Sequence, residues 1–269
     1  MYLLSSVKAI KCKGSISMKA VDRIGGPLRD FLRERGIIAR CELLNRVYQF
    51  TREADLSPEE QEEIEKLVGN KQLAAGVFQN VVSGAPIFFD LPKLDTYTVM
   101  SGRLFHFLHT IKYGRQDFDN ANRRLAQERP ALRSLLIDNL AWVMTSFMER
   151  AGYKISGHIG NRLTFEAGDK KIEVLVYSSA NSVNIDDCKA FQGENCVMLI
   201  PSAENVEPFM KFYREKGAAA EEAGIQIWVV NLEKGTVDPF VGYTTDMDIY
   251  GQFGNPRLAE MVRTNWKAT

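Results

Sequence analysis

Between Asn161 and Tyr177 the chain reads Asn-Arg-Leu-Thr-Phe-Glu-Ala-Gly-Asp-Lys-Lys-Ile-Glu-Val-Leu-Val-Tyr. Two runs of alternating apolar and polar residues flank Ala167-Gly168-Asp169-Lys170, the pattern of two antiparallel strands joined by a tight turn. Strand side chains alternate with period two, so Leu163 and Phe165 share a face with Ile172, Val174 and Val176. The opposite face carries Arg162, Thr164 and Glu166, then Lys171, Glu173, Leu175 and Tyr177.

The neighbouring segments say what kind of sheet holds this hairpin. Leu132 to Ala151 has apolar residues at Leu135, Leu136, Leu140, Val143, Met144 and Phe147, which is helical spacing. Ser182 to Phe191 reads as a short helix or turn. Asn195 to Pro201 is a continuous apolar run ended by proline, the mark of a buried strand. Val206 to Ala223 reads as a helix with Gly224 as its C-terminal cap, and Ile225 to Val230 as another strand. Helix, hairpin, helix, strand, helix, strand implies an α/β domain with a mixed, partly parallel sheet and helices packed on it.

That order, with Gly152-Tyr153 entering the first strand, resembles the restriction-endonuclease-like superfamily, named for its PD-(D/E)xK motif. The resemblance covers the second half of the chain. In active members the first hairpin strand presents an Asp, and the second presents an acid, a spacer and a Lys. The carboxylates hold Mg²⁺, which activates water, and the Lys helps position it. Aligned by the turn, Arg162 falls at the Asp, Leu175 at the acid and Tyr177 at the Lys. The resemblance thus implies the fold together with a degenerate active site, no catalytic residues and no bound metal. The alternative is a relocated Mg²⁺ site using Glu166, Asp169 and Glu173 with Lys171. Against it, Glu166 opposite Lys171 also reads as a cross-strand charge pair.

At 269 residues the chain is long enough for two ordinary domains, and its 45% hydrophobic and 25% charged residues are those of a globular protein. The formal net charge of +0 supplies no global pull toward nucleic acid or an anionic membrane. No apolar run reaches the roughly 20 residues needed to span a bilayer, and Met1 to Ile10 is too short for a signal-peptide core. The expected location is the cytoplasm. Cys12, Cys41, Cys188 and Cys196 are dispersed with no Cys-x-x-Cys pair, so reduced thiols are expected.

The first half reads as an α+β domain over residues 1–130, with the α/β domain over 131–269. Tyr2 to Lys13 fits a strand or strand pair, and Met18 to Arg35 a helix interrupted at Gly25-Gly26-Pro27. A strand is expected near Arg46 to Arg52. Ser57-Pro58-Glu59-Glu60 is a capping box opening a helix to Val68, closed by Gly69-Asn70. Leu73 to Val82 reads as a helix, Ile87 to Leu91 as a strand or buried loop, and Met100 to Lys112 as a helix.

Several patterns bear on function. His106 and His109, three apart, would share a helix face as a metal pair, but a zinc site needs three protein ligands and no third stands beside them. Arg115, Arg123, Arg124, Arg129 and Arg133 form the most basic stretch, with Tyr113 and Phe118 interspersed. Arginine grips phosphate through paired hydrogen bonds and aromatics stack on bases, so DNA or RNA is one partner class. A solvated helix joining two domains is the other reading of that stretch. Pro130 marks a boundary. Asp246 and Asp248 lack the glycine and later glutamate of a calcium loop and read as a capping pair. The function classes left are a non-catalytic nuclease-fold protein that binds nucleic acid or a protein partner, a nuclease with a relocated site, and a subunit of a homo-oligomer or larger assembly.

Overall fold

The computed structural model describes residues 4–70, 72–84, 94–100, 103–109, 111–189, 195–202 and 206–266; side chains are described there except at 4–18, 94, 100, 103, 104, 188 and 189. The stretch 87–91, read as a strand or loop, lies outside the described residues. The chain forms two compact units, Met1–Leu132 and Arg133–Thr269.

The first unit opens with helix α1, Leu4–Arg35. This corrects the strand expected over Tyr2 to Lys13 and the break expected at Gly25-Gly26-Pro27. Ala20, Val21, Ile24, Leu28 and Phe31 form one buried stripe at helical spacing. Packing of that stripe outweighs the local cost of the two glycines and Pro27. A three-residue strand β1, Ile37–Ala39, leads into α2, Arg40–Glu53. The strand expected near Arg46 to Arg52 is therefore helix: Leu43, Val47, Tyr48 and Thr51 are buried on one helical face. Helix α3, Pro58–Val68, starts at the capping box read from the sequence. Ser57 Oγ accepts from Glu60 N–H at 3.3 Å, and Glu60 Oε2 accepts from Ser57 N–H at 2.9 Å. Gly69, at φ 66°, ends it in the left-handed region that only glycine enters at no steric cost. Helix α4 spans Leu73–Ser83.

Two strands follow, β2, Leu94–Met100, and β3, Arg103–His109. With β1 they form a sheet of order β1-β3-β2, all antiparallel. The helix expected over Met100 to Lys112 is thus the central strand. Phe107 packs with Phe118, Ala121 and Leu125, whereas Leu108 packs in the cluster of α1, α2 and α4. A strand buried on both faces reads as an unbroken apolar run, which periodicity alone does not separate from a helix.

Helix α5, Arg115–Arg150, is continuous and contains Pro130, so the expected boundary there is not a helix end. Proline cannot donate to the carbonyl four residues back, and the helix continues past that local cost. In the second unit its Leu140, Val143, Met144 and Phe147 are buried.

The second unit is built on a six-stranded mixed sheet of order β4-β5-β6-β7-β8-β9: Lys154–Ile159, Arg162–Ala167, Lys170–Val176, Asn195–Pro201, Gln226–Asn231 and Thr236–Val241. Strands β4, β5 and β6 run antiparallel; β6, β7 and β8 run parallel; β9 returns antiparallel. The expected hairpin forms with Ala167 opposite Lys170, and Gly168 supplies the positive φ of 63° at its turn. One sheet face meets α5 through Phe147, whose ring centroid lies 5.8 Å from that of Trp228. The other is covered by Phe209, Phe212, Tyr213, Ala220 and Val262. These come from α7, Glu207–Phe212, a π-helical turn at Tyr213–Gly217, α8, Ala218–Glu222, and a final helix. At Gly217 an added Cβ would lie 3.0 Å from the Tyr213 ring, so glycine lets that ring lie against the backbone. A short α6, Asp186–Lys189, precedes β7, and α9, Met247–Tyr250, and α10, Leu258–Asn265, complete the unit. Cys41 is a free, exposed thiol, while Cys196 is disulfide-bonded, which corrects the expectation of reduced thiols. The dispersed spacing carried no pairing signal. No helix among the described residues is long and apolar enough to cross a membrane.

Candidate functional site

The hairpin register sets the site. Arg162 stands opposite Leu175, Thr164 opposite Glu173 and Glu166 opposite Lys171. These pairs share a face, but the two ends of that face differ. Toward the end of β6, Leu175 is 7% and Tyr177 8% exposed, both inside the apolar cluster with Met198, Ile200 and Ile227. The sequence reading placed them on a polar face; the helices of the second unit cover it. The Tyr177 hydroxyl donates to Asp187 Oδ2 at 2.6 Å, and burial first, then that carboxylate, pushes its pKa up. It stays a neutral donor over the physiological range.

Nearer the turn the face is polar. Glu173 is fully buried, yet its carboxylate is saturated: Arg162 Nε donates to Oε2 at 2.7 Å, Thr164 Oγ1 donates at 3.0 Å, and Lys171 Nζ lies 3.2 Å from Oε1. Burial pushes the Glu173 carboxyl up, and the hydrogen bonds from Arg162, Lys171 and Thr164 override it, leaving the group below the usual range. Glu166 is exposed on β5 and Asp169 sits exposed at the turn, so the relocated-site residues lie in a row along the hairpin with Glu173 already engaged. Among the described residues no group of three or more His, Cys, Asp or Glu could hold a metal ion.

The turn is tied down by a separate polar group. Asp246 caps α9, accepting from Asp248 N–H and Ile249 N–H at 2.9 and 3.1 Å. Its other oxygen accepts from Lys170 Nζ at 2.6 Å and Tyr153 Oη at 2.9 Å. Burial opposes ionisation, but these donors hold Asp246 down at about 2. The aspartate pair read as a cap is therefore a cap, and Asp246 adds a clamp on the hairpin that the sequence did not announce.

The remaining sequence candidates lie in other surroundings. His106 and His109 are on a strand, so three residues apart places them on opposite faces. His109 is buried, with Thr96 Oγ1 at 2.8 Å and the Ile111 carbonyl at 2.6 Å; His106 stacks on Tyr97 with centroids 4.2 Å apart. The metal-pair geometry expected of a helix is absent. Of the arginines, Arg115, Arg123, Arg129 and Arg133 are exposed along α5. Arg124 turns inward: it donates to the Ile37 carbonyl at 2.6 Å and to Glu42 Oε2 at 3.3 Å, so it holds the fold rather than facing solvent. Glu42, fully buried near the start of α2, was not singled out in the sequence. Nothing in its spacing distinguishes it from a surface glutamate.

The second unit thus has an α/β architecture on a mixed sheet. Residues 137–255, which span that whole sheet, are similar to a family described as a domain of unknown function (DUF6834), C-terminal domain. No curated protein matches the chain.

Proposed function

We propose that the second unit is a restriction-endonuclease-like domain that has lost cleavage and acts by binding, with nucleic acid as the ligand class. One observation carries the reading. Where the resemblance calls for a metal-binding acid and a lysine, Leu175 and Tyr177 are buried among apolar side chains. An Arg, a Leu and a Tyr offer a divalent cation no carboxylate oxygen. The switch from antiparallel β4-β5-β6 to parallel β6-β7 supports the family's helix, meander, strand order. The exposed Arg115, Arg123 and Arg129 of the first unit, and Arg133 of the second, favour phosphate as the group contacted.

The test combines a mobility shift with a cleavage assay on single- and double-stranded DNA and RNA. The expected result is binding that weakens as salt rises, reduced several-fold by Arg123→Glu with Arg129→Glu, and no cleavage with Mg²⁺ or Mn²⁺. Absence of binding to every form at low salt overturns the ligand class. Metal-dependent cleavage abolished by Glu173→Ala would instead support the relocated site of Glu166, Asp169, Glu173 and Lys171.

A further inference from the structure

Four strands bound the two sheets: β1 and β2 in the first unit, β4 and β9 in the second. An outer strand presents backbone N–H and C=O groups able to pair with another chain, and proteins blunt such edges. Three of the four are blunted. β1 has only three residues. β4 begins at Lys154 and breaks register between Ile155 and Gly157. β9 carries Pro239, which has no N–H, and its Val237 carbonyl already accepts from Gly254 N–H at 3.2 Å. β2 has none of these devices. Its seven residues hold unbroken register with β3 from Leu94 to Met100, without proline, lysine or bulge. Among the described residues no strand pairs with its outer edge. Tyr97 and Val99 are 64% and 68% exposed. The Tyr97 ring is held in place by its stack on His106, whose Nε2 lies 3.2 Å from Asp95 Oδ1.

We propose that β2 is the interface through which two copies of this chain pair, antiparallel about a two-fold axis at Tyr97, joining their three-stranded sheets into one. The strand is self-complementary in that register. Tyr97 meets its own copy, Thr96 meets Thr98, and Asp95 meets Val99. Aromatic and threonine pairs are favoured across antiparallel strands, and the strand's one charged side chain does not face itself. Centring on Asp95 would oppose two carboxylates. A one-residue slip would set the exposed Tyr97 face against the half-buried Thr96 face. Such a contact uses the same patch on both copies and therefore closes as a dimer.

Sedimentation equilibrium of the full chain tests this. The expected species has twice the 30.4 kDa chain mass and dissociates on dilution. Because Tyr97 lies on the axis, Tyr97→Lys and Tyr97→Glu should each weaken the dimer at least about tenfold, and an equimolar mixture should restore it. Val99→Lys, facing Asp95 of the other copy, should tighten the dimer several-fold, an arm that stands even if the Tyr97 variants fail to fold. A chain that stays monomeric at every concentration overturns the proposal. So does a dimer indifferent to Tyr97→Lys, a mixture that does not re-form the dimer, or a Val99→Lys dimer no tighter than the parent.

Discussion

Glu42 in the first unit and Glu173 in the second are both fully buried glutamates flanked by two cationic side chains, yet their carboxyls shift in opposite directions. Around Glu173 the donors reach hydrogen-bonding distance, with Arg162 at 2.7 Å, Thr164 at 3.0 Å and Lys171 at 3.2 Å. Around Glu42, Arg124 lies at 3.3 Å and Arg35 only within 4.0 Å, and Oε1 has no hydrogen-bond partner. Burial raises the Glu42 pKa, Arg124 and Arg35 pull against it without overcoming it, and Glu128 adds to the rise. A buried charge is stabilised by aligned donors, not by the count of cations nearby.

The sharpest way to break this contrast is to remove one cation from the poorly served site. Arg124→Ala leaves Glu42 with a single distant partner and strips the Ile37 carbonyl of its donor. It should destabilise the first unit by about 3 kcal/mol. Trp142, Trp228 and Trp266 all lie in the second unit. Fluorescence during urea unfolding therefore follows that unit, while far-UV circular dichroism follows both. An Arg124→Ala chain whose first unit unfolds at the parent midpoint would contradict the account.

The two glutamates can next be neutralised in parallel. Glu173→Gln gives up charge-assisted bonds and should cost about 2 kcal/mol in the fluorescence transition. Glu42→Gln removes a charge that burial already disfavours and should cost less than about 0.5 kcal/mol. Equal costs would mean that the geometry around the two groups does not decide their energetics.

The smallest effect is in pH, and its sign differs between the units. Glu173 has a folded pKa below its ordinary 4.5, so its contribution is complete above that value and is lost as pH falls through the folded pKa. Asp246 acts likewise between 3.8 and about 2. Glu42 is raised above 4.5, so acidifying through its folded pKa toward 4.5 relieves a penalty. In a titration of unfolding midpoints from pH 7 to 3, Glu42→Gln should abolish a small gain on mild acidification, and Glu173→Gln a loss that begins lower. The reverse order would show that the two directions are misassigned.

The second unit was largely readable in the sequence because its elements announce themselves locally. The Gly168-Asp169 turn, the Asn195 to Pro201 run and Gly224 each carry a single-residue signal, and the parallel strands are short apolar runs bounded by breakers. What escaped was the cover over Leu175 and Tyr177, because alternation assigns a side chain to a face but not what packs on that face. The first unit was read less well. Gly25-Gly26-Pro27 reads as a stop, and only the buried Ile24, Leu28 and Phe31 explain why the helix continues. Leu104 to Leu108 satisfies helix and strand periods together, and the pairing with β2 decides between them. Glu42 and Arg124 are 82 residues apart, a separation at which spacing carries no information.

The wide turn at Tyr213–Gly217 has a consequence for the chain's tolerance of length change. A π-turn holds one more residue than regular winding needs, so deleting Glu215 or Lys216 would leave a smooth α-helix with a complete ladder. Every later position would then rotate by about 100°, carrying Ala220 off the sheet and aiming a charged neighbour at Ile225 and Ile227. Here the irregular winding sets phase, and a shorter, more ideal helix would point the wrong side inward.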